Sequence, residues 1–246
     1  MVKSEEIAES EDEVEGLAEE EDSPPLRREI SPALRVFLPV GRTLGDWWRE
    51  LLVLTLASFV WFALSLTIIG GPPAGAALYS MARAAALHEQ PDRALFLASL
   101  RAYFGKSWLL ALLGLFGIIL WLLDLNLYIQ LAGGIEIVGF LGAVFIFYIG
   151  LVWIQTIFYA WPMMVCRDDL TFAQLLRNSV VLALRYPIHN FVATIFVGLL
   201  LALAFYAPPM VVLVIPAFVS LLGIHYLLIL APELVPEDSD ALQVVG

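Results

Sequence analysis

The sequence predicts an all-α protein, a polytopic membrane helix bundle with six membrane helices and two cytoplasmic amphipathic helices. Of its 246 residues, 61% are hydrophobic and 15% are charged, and the mean hydropathy is +0.85. Ordinary soluble domains are about half apolar, so a soluble fold of this chain would leave much apolar area in water. Long uncharged runs also alternate with short segments that hold the bases. Lipid is the natural solvent for such a pattern.

Most of the acidic charge lies at the two ends of the chain. Residues 1–22 hold eleven carboxylates against one lysine, and residues 233–240 hold four more without a base. The net charge of −11 therefore describes the tails rather than a site. Such segments bury too little apolar surface to fold, so we expect a disordered acidic tail over 1–31, a membrane domain over 32–231 and a disordered tail over 232–246.

The membrane domain is expected to begin with an interfacial segment and a first membrane helix. Residues 32–50 mix basic and apolar residues and end in Trp47 and Trp48, whose rings favour the headgroup layer. Residues 51–69 are uncharged throughout, and a helix of that length matches the ~30 Å hydrocarbon core. This stretch is the first predicted span.

A broken hairpin is predicted where the first span ends. Proline lacks an amide donor and disfavours helix in the preceding residue, so a Gly-Gly-Pro-Pro run stops the helix. Residues 74–87 follow as a short second helix of about 21 Å, and their alanines would let it pack closely against the first as a return arm. The hairpin turn consists of Gly70, Gly71, Pro72 and Pro73.

The rest of the chain alternates polar segments with apolar ones. Residues 88–107 predict an amphipathic surface helix, with Phe96 and Tyr103 at helical spacing on one side. Residues 166–186 predict a second one, capped by Asp168 or Asp169. The remaining predicted membrane helices are 108–123, 137–161, 188–206 and 210–230, the last kinked at Pro216.

The distribution of bases predicts the topology. If residues 74–87 return to the starting side, all 13 Lys and Arg residues lie on one side or at its edge. The positive-inside rule makes that side the cytoplasm. If residues 74–87 instead lay flat outside, six bases of the two amphipathic segments would be translocated, which the rule rejects. Both termini are therefore expected to be cytoplasmic.

Part of the sequence resembles the YesL family of bacterial integral membrane proteins. The similarity is sharpest over TIIGGPPAGAALYSMAR at 67–83 and FLASLRAYFGKSW at 96–108. It extends in layout over 47–230, and the acidic leader departs from it. The resemblance implies an uncharacterised membrane protein whose relatives often accompany carbohydrate import systems, and it implies no established activity. The matching residues are Thr67, Gly71, Pro72, Ala77, Tyr79, Phe96, Tyr103 and Phe104.

No motif in the sequence predicts an enzyme. His88, His189 and His225 lie in separate segments, without an HExxH pattern, and Cys166 is the only cysteine, so a zinc site or redox pair is not expected. No nucleophile elbow or Walker loop is present. The sequence accordingly predicts no catalytic residue, no metal, no cofactor and no nucleic-acid partner.

Ionisable and polar groups inside the membrane are better candidates, because each costs free energy unless it is paired or hydrated. Arg83 could pair inside the bundle or snorkel to the cytoplasmic headgroups. His225 could relay protons or form a hydrogen bond to a neighbouring helix. Asp124 and Glu136 could attract cations at the outer connection or be ordinary interfacial carboxylates. The intramembrane polar candidates are Arg83, Gln155, Thr156 and His225.

The bases of the two amphipathic helices form a predicted cytoplasmic surface for lipid or for a partner. They could bind anionic headgroups, contact a membrane transporter, or simply set topology. The leading hypothesis is a non-enzymatic accessory or assembly partner of a membrane transport system. The alternative is a small transporter or channel that acts as a homo-oligomer, with the hairpin turn as its gate. This surface comprises Arg93, Arg101, Lys106, Arg177 and Arg185.

These two hypotheses predict different interiors. A transporter should contain a polar cavity near the midplane that includes some of the intramembrane polar candidates. An accessory protein should have a dry core and an apolar lateral groove. Periodicity alone does not fix side-chain directions within six helices, so the three-dimensional structure is needed to compare them.

Overall fold

Ten α-helices make up the part of the chain that the computed structural model describes, residues 36–131 and 137–232. No strand occurs in these two ranges. The acidic tail at 1–31 and nearly all of the C-terminal tail lie outside them. The helices are α1 (Leu38–Arg49), α2 (Leu51–Ser65), α3 (Gly71–Ala86), α4 (Arg93–Ala102), α5 (Phe104–Leu131), α6 (Ile137–Cys166), α7 (Phe172–Arg185), α8 (Pro187–Tyr206), α9 (Pro209–Leu213) and α10 (Ile215–Leu230).

Three helices are long and apolar enough to cross a membrane: Phe104–Gln130, Gly139–Cys166 and Pro187–Tyr206. Helices α1 and α2 would add a fourth span if they counted as one, but they meet at 93°. In each of the three candidate spans, only 11 to 17% of the most apolar 18-residue stretch is buried inside the protein. Soluble proteins rarely expose apolar patches of this extent, so the described chain has the surface of a membrane protein.

The short helices α3 and α10 form the centre of the bundle. Twelve residues of α3 are buried, most of them alanines, and thirteen residues of α10 are buried. Small side chains let neighbouring helices approach α3 closely, and α3 contacts α2, α4, α5, α6 and α10. Each of the two central helices has 16 residues, about 24 Å at 1.5 Å per residue.

Helix α3 runs back along α2 in antiparallel register. Gly71 lies beside Ser65 and Gly75 lies beside Trp61. At the far end, the Arg49 guanidinium donates a hydrogen bond of 2.7 Å to the Ala85 carbonyl. The predicted return arm therefore reaches the level at which α2 begins.

The turn of this hairpin lies earlier than the Gly-Gly-Pro-Pro run. Helix α2 ends at Ser65, Gly70 is the N-cap of α3, and both prolines occupy its first turn. Proline is tolerated there because the amide it lacks would have no helical partner. The turn itself is closed by Thr67, whose hydroxyl donates to the Leu64 carbonyl at 2.6 Å and accepts from the Gly70 amide at 3.1 Å.

Helix α1 buries polar side chains and exposes large apolar ones, the reverse of a surface helix in a soluble protein. Its buried residues are Pro39, Thr43 and Asp46, whereas Leu44 and Trp48 are exposed, Trp48 by 73%. A helix at a membrane interface exposes its apolar side to lipid. The interfacial position expected for residues 32–50 stays a prediction.

In the α5–α6 hairpin, tryptophan rings of each helix pack against glycines of the other. The ring of Trp121 lies on Gly150, where a methyl group would overlap it, and its indole N–H donates to the Ile146 carbonyl at 3.0 Å. Reciprocally, Trp153 lies on Gly117 and donates to the Gly114 carbonyl at 3.3 Å. The two helices interlock from both sides.

Several predicted helix bounds differ from the observed ones. Helix α5 starts earlier than 108 and extends well past 123, and α6 continues through Pro162 to Cys166. The last predicted span is two helices, α9 and α10, which break at Val214 just before Pro216. Proline disfavours helix in the residues that precede it, so the break lies upstream of the proline that was expected to cause it.

Helices form where the two amphipathic segments were predicted. Asp92 caps α4 through the Leu95 amide at 2.7 Å. Thr171, rather than Asp168 or Asp169, caps α7 through a capping box with Gln174. The capping-box residues T-F-A-Q are visible in the sequence, and they are a stronger start signal than the two aspartates before them.

Candidate functional site

A buried carboxylate and a buried imidazole join α1 to α10. The Asp46 carboxylate lies 2.9 Å from Nε2 of His225, which is 3% exposed. Despite this short distance, Nε2 of His225 has no hydrogen-bond partner among the described residues. Arg49 lies 3.3 Å from the same carboxylate and also donates to the Ala85 carbonyl of α3. Three helices therefore meet at this polar cluster.

The sequence singled out His225 but not Asp46. A signal was present, because Thr43 and Asp46 share one side of α1 while Leu44 and Trp48 lie on another. In a helix surrounded by lipid, the polar side points into the protein. The interfacial prediction for this segment does not separate its polar side from its apolar side, a step that would have placed Asp46 against the bundle.

A second polar cluster joins α6 to α8. The Gln155 amide donates to the Asn190 carbonyl at 3.2 Å and to the Thr194 hydroxyl at 2.5 Å. The Tyr159 hydroxyl donates to the Asn190 side chain at 2.5 Å, and the amide of Asn190 donates to the Ala183 carbonyl at 2.5 Å. These bonds satisfy most of the polar groups buried there, although the Gln155 side-chain oxygen has no hydrogen-bond partner among the described residues.

A third polar cluster connects the α4–α5 junction to the α6–α7 loop. The Tyr103 hydroxyl donates a hydrogen bond to the Asp168 carboxylate, and Lys106 donates to the Asp168 carbonyl at 3.1 Å. Burial, followed by the bond to Asp168, raises the pKa of Tyr103, while the charge of Arg83 opposes that rise. Arg83 is thus within electrostatic reach of this junction and is not in the other two clusters.

The four intramembrane polar candidates are not brought together. Gln155 belongs to the α6–α8 cluster and His225 to the α1–α10 cluster, and Arg83 lies near Tyr103. The Thr156 hydroxyl donates to the Val152 carbonyl of its own helix at 2.8 Å. No shared site unites these residues.

An apolar groove of about 580 Å³ lies beside the hairpin turn. Gly71 and Pro72 line one end of it, and the stacked rings of Tyr79 and Trp161, with centroids 5.9 Å apart, line its wall. The two groove serines, Ser65 and Ser220, each donate to a carbonyl of their own helix. None of the four intramembrane polar candidates lines this groove.

The predicted basic surface is largely exposed. Arg93 and Arg101 are exposed on α4, as are Arg177 and Arg185 on α7, whereas Lys106 is half-buried. Within the two described ranges, none of these four arginines forms an ion pair. By contrast, Arg167 in the α6–α7 loop forms a bidentate pair with Asp169 at 2.7 and 2.8 Å.

The described residues contain no group of three or more His, Cys, Asp and Glu side chains that could hold a metal ion. No protein-family model, no curated protein and no solved structure matches the chain.

Proposed function

We propose that the chain is a non-enzymatic, YesL-like protein of the bacterial inner membrane that serves as an accessory or assembly partner of a membrane transport system. It crosses the bilayer with six helices, α2, α3, α5, α6, α8 and the α9–α10 pair, and both termini are cytoplasmic. Helices α4 and α7 lie on the cytoplasmic surface and present the basic surface to a transporter and to anionic headgroups of the same leaflet.

Contacts between distant segments support this topology. The Arg49–Ala85 bond brings the start of α2 to the end of α3, and the Tyr103–Asp168 bond joins the two loops that hold the basic segments. The Tyr186 hydroxyl donates to the Leu230 carbonyl at 3.1 Å, which brings the end of α10 to the α7–α8 junction. These three junctions fit one end of the bundle, where the positive-inside rule requires the bases. A fourth bond, of 3.1 Å from the Trp108 indole N–H to the Ile69 carbonyl, brings the hairpin turn close to the start of α5.

The single observation that carries the docking role is the set of four exposed arginines on α4 and α7 that form no ion pair within the described residues. Of these, Arg185 lies over the Tyr186 ring, 5.6 Å from its centroid. Both helices pack through their other sides, where Phe96 and Ser99 of α4 and Leu175 and Leu182 of α7 are buried. An arginine side chain held on such a rigid helix is well placed for carboxylates or phosphates of a partner.

The interior favours the accessory role over transport. The groove beside the hairpin turn has apolar walls and satisfied hydroxyls, and the intramembrane polar candidates lie in separate clusters. An accessory protein is expected to have such an interior, whereas a transporter should bring polar groups together around a substrate.

The test is purification of the full chain from its native membrane in a gentle detergent, with co-purifying proteins identified by mass spectrometry. We expect a stoichiometric transport protein, and about fivefold less of it with Arg101→Gln/Arg177→Gln, because two charge contacts are lost. The matched control Arg101→Lys/Arg177→Lys keeps both charges and should retain the partner.

Liposomes that contain the protein alone provide the opposing measurement. We expect no solute flux. Saturable flux without any partner would overturn the accessory role and support the alternative, a small transporter acting as a homo-oligomer.

A further inference from the structure

The hairpin of α5 and α6 carries a second groove, of about 520 Å³, lined by residues of these two helices. On α5 its lining runs from Leu113 through Phe116 and Leu120 to Asp124, and α6 contributes Ile149 and Trp153. Phe116, Leu120 and Ile149 are about half exposed, so the groove is open along its length. It is apolar except at one end.

That end is the carboxylate of Asp124, the only ionisable group that lines this groove. The indole N–H groups of Trp121 and Trp153 are already bonded to carbonyls across the hairpin. Within residues 36–131 and 137–232, no base, hydroxyl or amide forms a bond to the Asp124 carboxylate. The carboxylate is therefore open to a ligand.

The protein offers no cation to Asp124. The sequence contains no Lys, Arg or His between Lys106 and Arg167, so the nearest base along the hairpin is Lys106 in the first turn of α5, 18 residues or about 27 Å from Asp124. In the proposed topology, on which this inference rests, all bases lie at the cytoplasmic end. A carboxylate in an apolar helix costs free energy unless it is paired or hydrated, so a cation from outside the chain would stabilise it.

The dimensions of the groove indicate what supplies that cation. From Phe104 to Asp124, α5 advances by twenty residues, about 30 Å, which places Asp124 at the outer boundary of the hydrocarbon core when α5 enters at Phe104. From Leu113 to Asp124 the groove spans about 16 Å, close to the thickness of one leaflet. A partner membrane helix would contact both leaflets, whereas a lipid occupies one.

We propose that this groove binds an outer-leaflet phospholipid with a primary ammonium headgroup. The ammonium group pairs with the Asp124 carboxylate, and one acyl chain lies along Leu113, Phe116 and Leu120 between the two indole rings. The site thus recognises an amphiphile by a charge at one end and an apolar body, and it differs from the basic surface, which selects anionic headgroups.

The test is native mass spectrometry of the full chain in detergent, titrated with phosphatidylethanolamine or with its N-acetylated form. The two lipids share acyl chains and phosphate, but only the first has a cationic amine. We expect Asp124→Asn to weaken phosphatidylethanolamine binding about fivefold and not to weaken the binding of N-acetyl-phosphatidylethanolamine, which has no ammonium group to pair with the carboxylate. Glu89→Gln, the same charge change at an exposed residue of the α3–α4 loop, should leave both affinities unchanged.

Equal binding of the two lipids, or unchanged phosphatidylethanolamine binding in Asp124→Asn, would overturn the proposal. So would an Asp124-dependent protein partner in the absence of any lipid effect. Labelling of Asn126→Cys with a membrane-impermeant reagent, in a Cys166→Ser background, separates a failure of the lipid site from a failure of the proposed topology. Labelling from outside combined with no effect of Asp124→Asn rejects the lipid site alone, whereas labelling only from the cytoplasm rejects the proposed topology as well.

Discussion

At the scale of single residues, Tyr103 is the clearest case of a side chain whose chemistry depends on its neighbours. It is the C-cap of α4, directly before α5, and it is buried against the α6–α7 loop. Helical spacing predicts its burial from the sequence. Its hydrogen-bond partner, Asp168, is 65 positions away, and spacing cannot identify such a residue.

The raised pKa of Tyr103 gives a prediction at high pH. A phenol whose pKa is higher in the folded protein than its unfolded value of about 10 contributes stability that is present below pH 10 and is lost as pH rises further. We expect Tyr103→Phe to lose about 1 kcal/mol at neutral pH, where the hydrogen bond is intact. Above pH 10 its stability should fall less steeply than that of the wild type.

Thermal unfolding of the purified protein in detergent, followed across this pH range, measures both effects. Tyr206→Phe is the matched control, because Tyr206 is 84% exposed and should not change the slope. Parallel curves for Tyr103→Phe and the wild type would contradict the prediction.

At the scale of helices, the glycine and aromatic contacts of the α5–α6 hairpin determine how closely two candidate spans approach. The sequence shows the glycines and the tryptophans but not which ones face each other. The pairing depends on the rotation of each helix, which an evenly apolar sequence leaves open.

Gly150→Ala should destabilise the hairpin, because its methyl group would overlap the Trp121 ring. Overpacking of this kind costs about 1–3 kcal/mol. Gly198→Ala in α8 is the matched control, since nothing lies within 4 Å of its added methyl group, and alanine favours helix over glycine. Thermal unfolding in detergent should therefore separate the two variants, and equal melting temperatures would argue against the observed helix rotation.

The contact between α1 and α10 gives a second prediction at this scale. Asp46→Ala should destabilise the protein by about 1–3 kcal/mol, because His225 and Arg49 lose a buried partner. The double variant Asp46→Ala/His225→Ala should lose less than the sum of the single variants, with a coupling of about 1 kcal/mol. Strict additivity in denaturation experiments would show that the two side chains do not interact.

At the scale of the whole molecule, the topology determines which surfaces can meet which partners. We expect single cysteines at Arg101 and Arg177, in a Cys166→Ser background, to react with an impermeant reagent only after the membrane is opened. A cysteine at Ile68, which is 74% exposed in the α2–α3 turn, should react in intact cells. The reverse pattern would invert the proposed topology, and labelling of Ile68→Cys only in opened cells would place the hairpin turn on the cytoplasmic side.

The sequence by itself determined the all-helical class, the apolar segments and the chain positions of α4 and α7, because hydropathy, proline and helix caps act over a few neighbouring residues. Only the tertiary structure decided that α3 and α10 are central, that α7 packs on α6, and that Asp46 meets His225. These features depend on the rotation and packing of the helices. A uniformly apolar sequence does not encode them in any local pattern, since most of its faces are equally suited to lipid and to protein.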